Sequence, residues 1–418
     1  MAEVPSLTLN FSTVFEILPV LYLKNNRYEI PAVKLNPGIK SQSFIAKVGF
    51  FPIIIDLDAV AKNLNTMRAK TNGAMAMAVV KADAYGHGMI PVAQKLEAAG
   101  ADYLGVADVD EALQLREAGI DLPILAWLHS ADENFVRSVD AGIELGVANV
   151  DHLERIANAA QQLRRVARVH LKVDTGLGRN GASAAEWPIV LKKAHELVAE
   201  GFIQVVAIFS HLSCTSEADD LKQIARFDAA CAEAESAGVK FELRHLVASD
   251  GLLRYPQAHY EMVRIGVALY GLSPFVENTA ADFGLVPAMT VTAKVTQTKR
   301  VGANEGVSYG YLHRTTAETT LALIPVGYAE GLPRNATGKA HVSIHGKNYP
   351  VNSRVAMDQF VLDVGNDKVV AGDLVTIFGD PAAGVPSADE LAAACDTINY
   401  EIVTRMGGRF RRSYLGEG

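Results

Sequence analysis

The sequence predicts an α/β protein, a (β/α)8 barrel followed by a smaller, mostly β domain. Two observations carry this reading. From about residue 50, short β-branched runs alternate with amphipathic stretches, and near residue 285 the apolar spacing changes to period two. Length agrees, because 418 residues exceed one ordinary domain of roughly 100–200 residues and suit a large barrel with a second unit.

The strands expected of the barrel are Pro52–Asp56, Met75–Lys81, Tyr103–Ala107, Pro123–Trp127, Gly142–Leu145, Val169–Val173, Gln204–Ser210 and Arg244–Ala248. Between them, Asp58–Ala69, Asp108–Ala118, Val150–Leu163, Ala182–Val198 and Asp219–Ser236 carry apolar residues every three or four positions. That is the spacing of a helix with one buried face. Strands separated by such helices form βαβ units and a parallel sheet, and eight of them close a barrel. An open doubly wound sheet is the alternative, since a single-sequence count can miss by a strand.

Beyond residue 285, Met289, Val291, Ala293 and Val295 alternate with threonines and Lys294, as in a half-buried strand. Thr320–Val326, Ala340–Ile344, Arg354–Ala356 and Leu374–Phe378 follow as strands, and only Ser387–Ala394 reads as a helix. The expected organisation is an N-terminal extension over 1–45, the barrel over 46–285 and the β domain over 286–418.

Composition bounds the function. Hydrophobic residues at 49% and charged residues at 21% suit a soluble globular chain. A net charge of −8 gives no general attraction to nucleic acid or anionic membrane. Cys214, Cys231 and Cys395 are scattered without a CxxC pair, so neither a disulfide framework nor a metal site is expected, and a cytoplasmic location is. The apolar run Val14–Leu23 contains Glu16 and Pro19 and is short of the roughly 20 residues that span a bilayer. It also lacks the flanks of a signal peptide.

The chemistry begins at Val80-Lys81-Ala82-Asp83-Ala84-Tyr85-Gly86-His87-Gly88. A lysine closing the second strand sits at the C-terminal mouth, where barrel enzymes hold their reacting groups. Partial burial would lower its pKa and free the amine for a Schiff base. Taken alone, a strand-end lysine reaching into solvent is the other reading.

This segment resembles the pyridoxal-phosphate lysine segment of bacterial alanine racemases, and further motifs agree in order. Leu171–Gly181 (LKVDTGLGRNG), Ser210-His211-Leu212, Met262-Val263-Arg264-Ile265-Gly266 and Tyr270-Gly271 match in the first domain. Val307–Gly310, Pro325–Gly331, Met357-Asp358-Gln359 and Asn399-Tyr400-Glu401 match in the second.

The resemblance implies interconversion of L- and D-alanine, supplying D-alanine for peptidoglycan, with pyridoxal 5'-phosphate as cofactor. Lys81 would hold the cofactor and act as one base, with Tyr309 as the base on the opposite face of the α-carbon. A phenol titrates near about 10 and needs tuning to serve, which the resemblance assigns to His211, between Tyr309 and Arg264. Arg264 would face the pyridine nitrogen; a guanidinium donates a hydrogen bond without surrendering its proton. Tyr85, Ser249, Gly266 and Tyr400 would bind the phosphate, in keeping with barrel phosphate sites after strands 7 and 8.

Arg179 and Met357 would bind the substrate carboxylate, and Lys172 matches a position carbamylated in many members. Tyr328 and Asp358 would line the entrance. A head-to-tail homodimer would let Tyr309, Met357 and Asp358 complete the partner's site. Ala248, Ala356 and Leu177 depart from the family pattern without removing a reacting group. The alternatives are a racemase of broader amino-acid specificity and a barrel-type pyridoxal-phosphate carrier without racemase activity. Such carriers resemble only the first domain.

Overall fold

The structure is a computed structural model and describes residues 23–24, 27–28 and 52–416. The extension expected over 1–45 lies outside those residues, apart from an antiparallel pairing of Leu23–Lys24 with Arg27–Tyr28.

An eight-stranded parallel sheet forms the first layer, with neighbours in the order Leu243–His245, Ile203–Phe209, Ala167–Lys172, Glu144–Val147, Ile124–Ala126, Tyr103–Val106, Met75–Val79 and Met262–Ile265. The first and last of these meet where the Arg264 N–H donates to the Val247 carbonyl at 3.1 Å, which closes the barrel. The number of strands agrees with the sequence reading, but their identity does not. Pro52–Asp56 is no barrel strand; it lies in a six-stranded sheet, antiparallel to Met289–Lys294 and parallel to Arg411–Leu415. The eighth barrel strand is Met262–Ile265, which apolar spacing does not mark because Arg264 interrupts a four-residue run. A short apolar run states that it is buried, not which sheet buries it.

Several helices begin where a side chain can satisfy the first free N–H groups. Asp56 caps Leu57–Arg68, Asp108 caps Val109–Glu117, Asn149 caps Val150–Leu163 and Ser216 caps Glu217–Ser236. A further helix, Met89–Ala98, follows the lysine segment.

In the second domain Thr319–Ile324, His341–Ile344 and Leu374–Phe378 are strands close to those expected. Arg354–Ala356 is not a strand; the neighbouring strand is Phe360–Gly365. Ser387 caps the expected helix Ala388–Ala394, and a second, unexpected helix Asn399–Arg405 carries Tyr400 to the barrel. No helix among the described residues is long and apolar enough to cross a membrane.

Candidate active site

Lys81 follows the strand Met75–Val79 and opens a turn in which Ala82, Asp83, Ala84 and Tyr85 all have φ of 53–54°. Left-handed backbone costs L-residues about 1–2 kcal/mol each, so the surroundings must impose it. Glu111 accepts from the Ala82 N–H at 2.6 Å, and Asp83 accepts from the Met89 N–H at 2.7 Å. From the far end of the chain, Arg412 donates to the Gly86 carbonyl at 2.7 Å and pairs with Asp83 at 2.7 Å. His87 Nδ1 bonds the Ala84 and Tyr85 carbonyls, each at 3.0 Å. The turn is fixed from three sides.

Gly86 (φ +79°) seats this turn against the helix Asn399–Arg405, since a Cβ there would lie 2.5 Å from the Val403 carbonyl oxygen. Gly86→Ala is therefore expected to lower unfolding stability by about 2–3 kcal/mol, read from urea midpoints. An unchanged midpoint would show that the turn yields freely.

A cavity of about 650 Å³ opens at the barrel mouth. Four cationic side chains line it, Lys81, Lys172, Arg179 and Arg264. Burial lowers the Lys81 pKa, and Arg179 and Arg264 lower it further while Glu111 opposes them. Its ammonium nitrogen stands 6.0 Å from the centre of the Trp127 ring. Lys172 is buried and pushed down to about 8, chiefly by that burial and then by Arg264 and Arg179.

Stability should register Lys172. The free amine titrates at 10.5 and the folded one near 8, so the penalty of burying its charge is complete below pH 8 and gone above 10.5. Stability is expected to rise through this window by a few kcal/mol in carbon-dioxide-free buffer. Lys172→Met should flatten that rise in pH-dependent denaturant melts; a parallel profile would discount the buried charge.

Arg264 is held by five hydrogen bonds. It donates to the carbonyls of His245 (2.9 Å), Ser210 (2.8 Å) and Leu246 (2.7 Å), and to the Nδ1 atoms of His245 (2.8 Å) and His211 (3.0 Å). Burial pushes it down to about 10, which leaves it cationic at neutral pH. Burial and Arg264 hold His211 well below the usual imidazole range. Because its Nδ1 accepts from Arg264, a neutral His211 carries its proton on Nε2.

On the same wall Ser249 Oγ accepts from the Gly266 N–H at 3.0 Å. Ser249 follows the seventh barrel strand and Gly266 follows the eighth. A Cβ at Gly266 would meet the Tyr85 hydroxyl at 2.7 Å. The rings of Tyr85 and Tyr400 lie 6.0 Å apart, and burial raises both phenols, Tyr85 to about 12. They remain protonated donors facing the cavity.

Tyr309, Met357, Tyr328 and Asp358 stand apart from this cavity. Tyr309 is 70% exposed, and Tyr311, Leu312, Tyr328 and Met357 of the same domain are exposed as well. Asp358 pairs with Arg409 at 2.7 Å.

The chain matches the family "Alanine racemase, N-terminal domain" over residues 55–274 and "Alanine racemase, C-terminal domain" over residues 288–414. The chain belongs to the alanine racemase family. It is 48% identical over 366 residues to the alanine racemase of Frankia casuarinae, covering 87% of this chain and 95% of that one. Among solved structures, alanine racemase from D-cycloserine-producing Streptomyces lavendulae superposes with a TM-score of 0.88 at 43% identity, over 89% of this chain and 98% of that one. A Bartonella henselae alanine racemase with covalently bound pyridoxal phosphate gives a TM-score of 0.78 at 26% identity, over 88% and 100% of the two chains.

Family motifs did not disclose every residue that shapes the site. Glu111 reads in sequence as an ordinary first-turn acid of the helix Val109–Glu117, yet it holds the lysine turn. Arg412 lies in an unremarked C-terminal strand. Trp127 and Phe209, ends of apolar runs, supply the cavity's aromatic wall; nothing local marks them for that task.

Proposed function

We propose that the chain interconverts L- and D-alanine with pyridoxal 5'-phosphate held covalently by Lys81. One observation carries this reading. A half-buried lysine opens a constrained turn in a cavity that gathers three further cations and several neutral hydroxyl donors, a surrounding suited to anionic ligands. The residues fit the cofactor: Ser249, the Gly266 N–H and the Tyr85 and Tyr400 hydroxyls would hold the phosphate, and the missing Gly266 side chain leaves the space a Cβ would fill. When bound, the cofactor supplies an electron-delocalising ring that acidifies the α-hydrogen.

The chain's own groups do the rest. The fixed guanidinium of Arg264 would donate to the ring nitrogen while keeping its proton. Arg179 would orient the substrate carboxylate with its planar fork of donors. Lys172, with its depressed pKa, would supply the neutral amine that carbon dioxide needs, and a carbamate there would relieve the repulsion among the four cations. Lys81, whose depressed pKa favours the free amine, would take or return the α-proton on one face.

The opposite face needs a second base, the part that the resemblance to the family gives to Tyr309. Tyr309, exposed as Met357 is, would serve the site of a second copy in a head-to-tail homodimer. Met357 would then meet the substrate carboxylate, and Tyr328 and Asp358 would border the entrance. D-alanine made in the cytoplasm would feed peptidoglycan synthesis. The decisive test is reductive trapping of the purified protein with borohydride followed by peptide mapping. A pyridoxyl label on Lys81 is expected; its absence, or a label elsewhere, refutes the cofactor reading.

A further inference from the structure

Barrel interiors are ordinarily filled by layers of branched apolar side chains. This one contains a polar thread. Glu144 begins the fourth barrel strand, His170 lies on the fifth, His245 ends the seventh and Arg264 lies on the eighth. All are buried, the two histidines completely. Arg264 Nη1 meets His245 Nδ1 at 2.8 Å, His245 Nε2 meets His170 Nδ1 at 3.0 Å, and His170 Nε2 meets Glu144 Oε2 at 2.6 Å. The other Glu144 oxygen accepts from Arg168 at 2.6 Å, which bonds Gln204 at 3.0 Å near the far end of the barrel.

The direction of this chain follows from its ends. An arginine only donates, so His245 accepts at Nδ1 and, being neutral, carries its proton on Nε2. That proton points at His170 Nδ1, so His170 carries its own on Nε2 and donates it to a carboxylate. Burial and the neighbouring Arg264 keep His245 neutral. The Phe209 ring stacks on it at 4.7 Å and 12°, which blocks a ring flip.

We infer that Glu144, His170 and His245 are positioning residues for racemisation: they form one hydrogen-bonded path that sets the orientation and charge balance of Arg264 from the opposite end of the barrel. The inference rests on the cofactor reading above, in which Arg264 faces the ring. A carboxylate placed directly at the ring would protonate it. Here the negative charge is kept two imidazoles away, so that it steadies the guanidinium without replacing it. Without Glu144 the guanidinium becomes a stronger donor and perturbs the ring.

Two measurements test this. In the parent protein carrying 15N-labelled histidine, two buried imidazoles are expected to be neutral with the proton on Nε2. Either ring found charged, or protonated on Nδ1, breaks the path and overturns the inference whether or not cofactor is bound. In the holoenzyme, Glu144→Gln keeps the size and an accepting oxygen but removes the charge. It is expected to shift the cofactor's visible absorption band and to lower kcat on the order of tenfold with KM within about twofold, as changes behind a site's contacting groups do. An unshifted band with parental kcat, or lost thermal stability with an unshifted band, would leave only a packing role and overturn the inference. A parent protein without a visible band would refute the cofactor reading instead, and the histidine tautomers would still decide the path.

Discussion

Lys81→Ala is expected to lose racemisation by on the order of 10³-fold or more in both directions, because one substitution removes both the covalent anchor and a base. The turn that presents the lysine is held by backbone and by Glu111, Asp83, His87 and Arg412 rather than by the lysine itself. The variant should therefore fold normally, with parental circular dichroism and melting. Cofactor added in excess is expected to rebind through the phosphate contacts without being trapped by borohydride. Residual activity within about tenfold of the parent would remove Lys81 from the reacting groups.

Tyr309→Phe carries the second large effect, a fall in kcat/KM of about 10²–10⁴-fold. The equilibrium constant between enantiomers is unity, so kcat/KM must fall alike in both directions and turnover alone cannot say which face was lost. Exchange of the α-hydrogen in heavy water separates the faces. One enantiomer should still exchange, through Lys81, while the other does not; exchange lost from both, or retained by both, would deny Tyr309 a face-specific role.

The same pair of variants tests the shared site. Tyr309 is 70% exposed and outside the cavity that holds Lys81. In a two-fold dimer, mixing the Lys81→Ala and Tyr309→Phe proteins after subunit exchange gives half mixed dimers, each with one intact site, and so about a quarter of parental activity. Recovery of nothing above the separate variants would mean that each chain builds its site alone.

Much of the fold was legible from periodicity. Helix Val150–Leu163 falls where its apolar spacing puts it, and the change to period two at Met289 marks a real change of architecture. What periodicity could not report was partnership. Pro52–Asp56 and Met75–Val79 are both short buried runs, yet one joins the second domain's sheet and the other the barrel. Ordered motifs identified the cavity's cations and hydroxyls because chemistry demands those residue types. Glu111 and Arg412 escaped notice because their side chains act on backbone atoms distant in sequence.

The sequence by itself determined the alternation of strands and helices, the family and the residue types available for reaction. Only the tertiary structure decided that Met262–Ile265 closes the barrel, that four successive left-handed residues present Lys81, and that Glu144, His170, His245 and Arg264 share one path. The physical reason is range. Periodicity and caps are set by neighbours within a few positions, whereas hydrogen bonds across a closed sheet join residues that only the closure brings together.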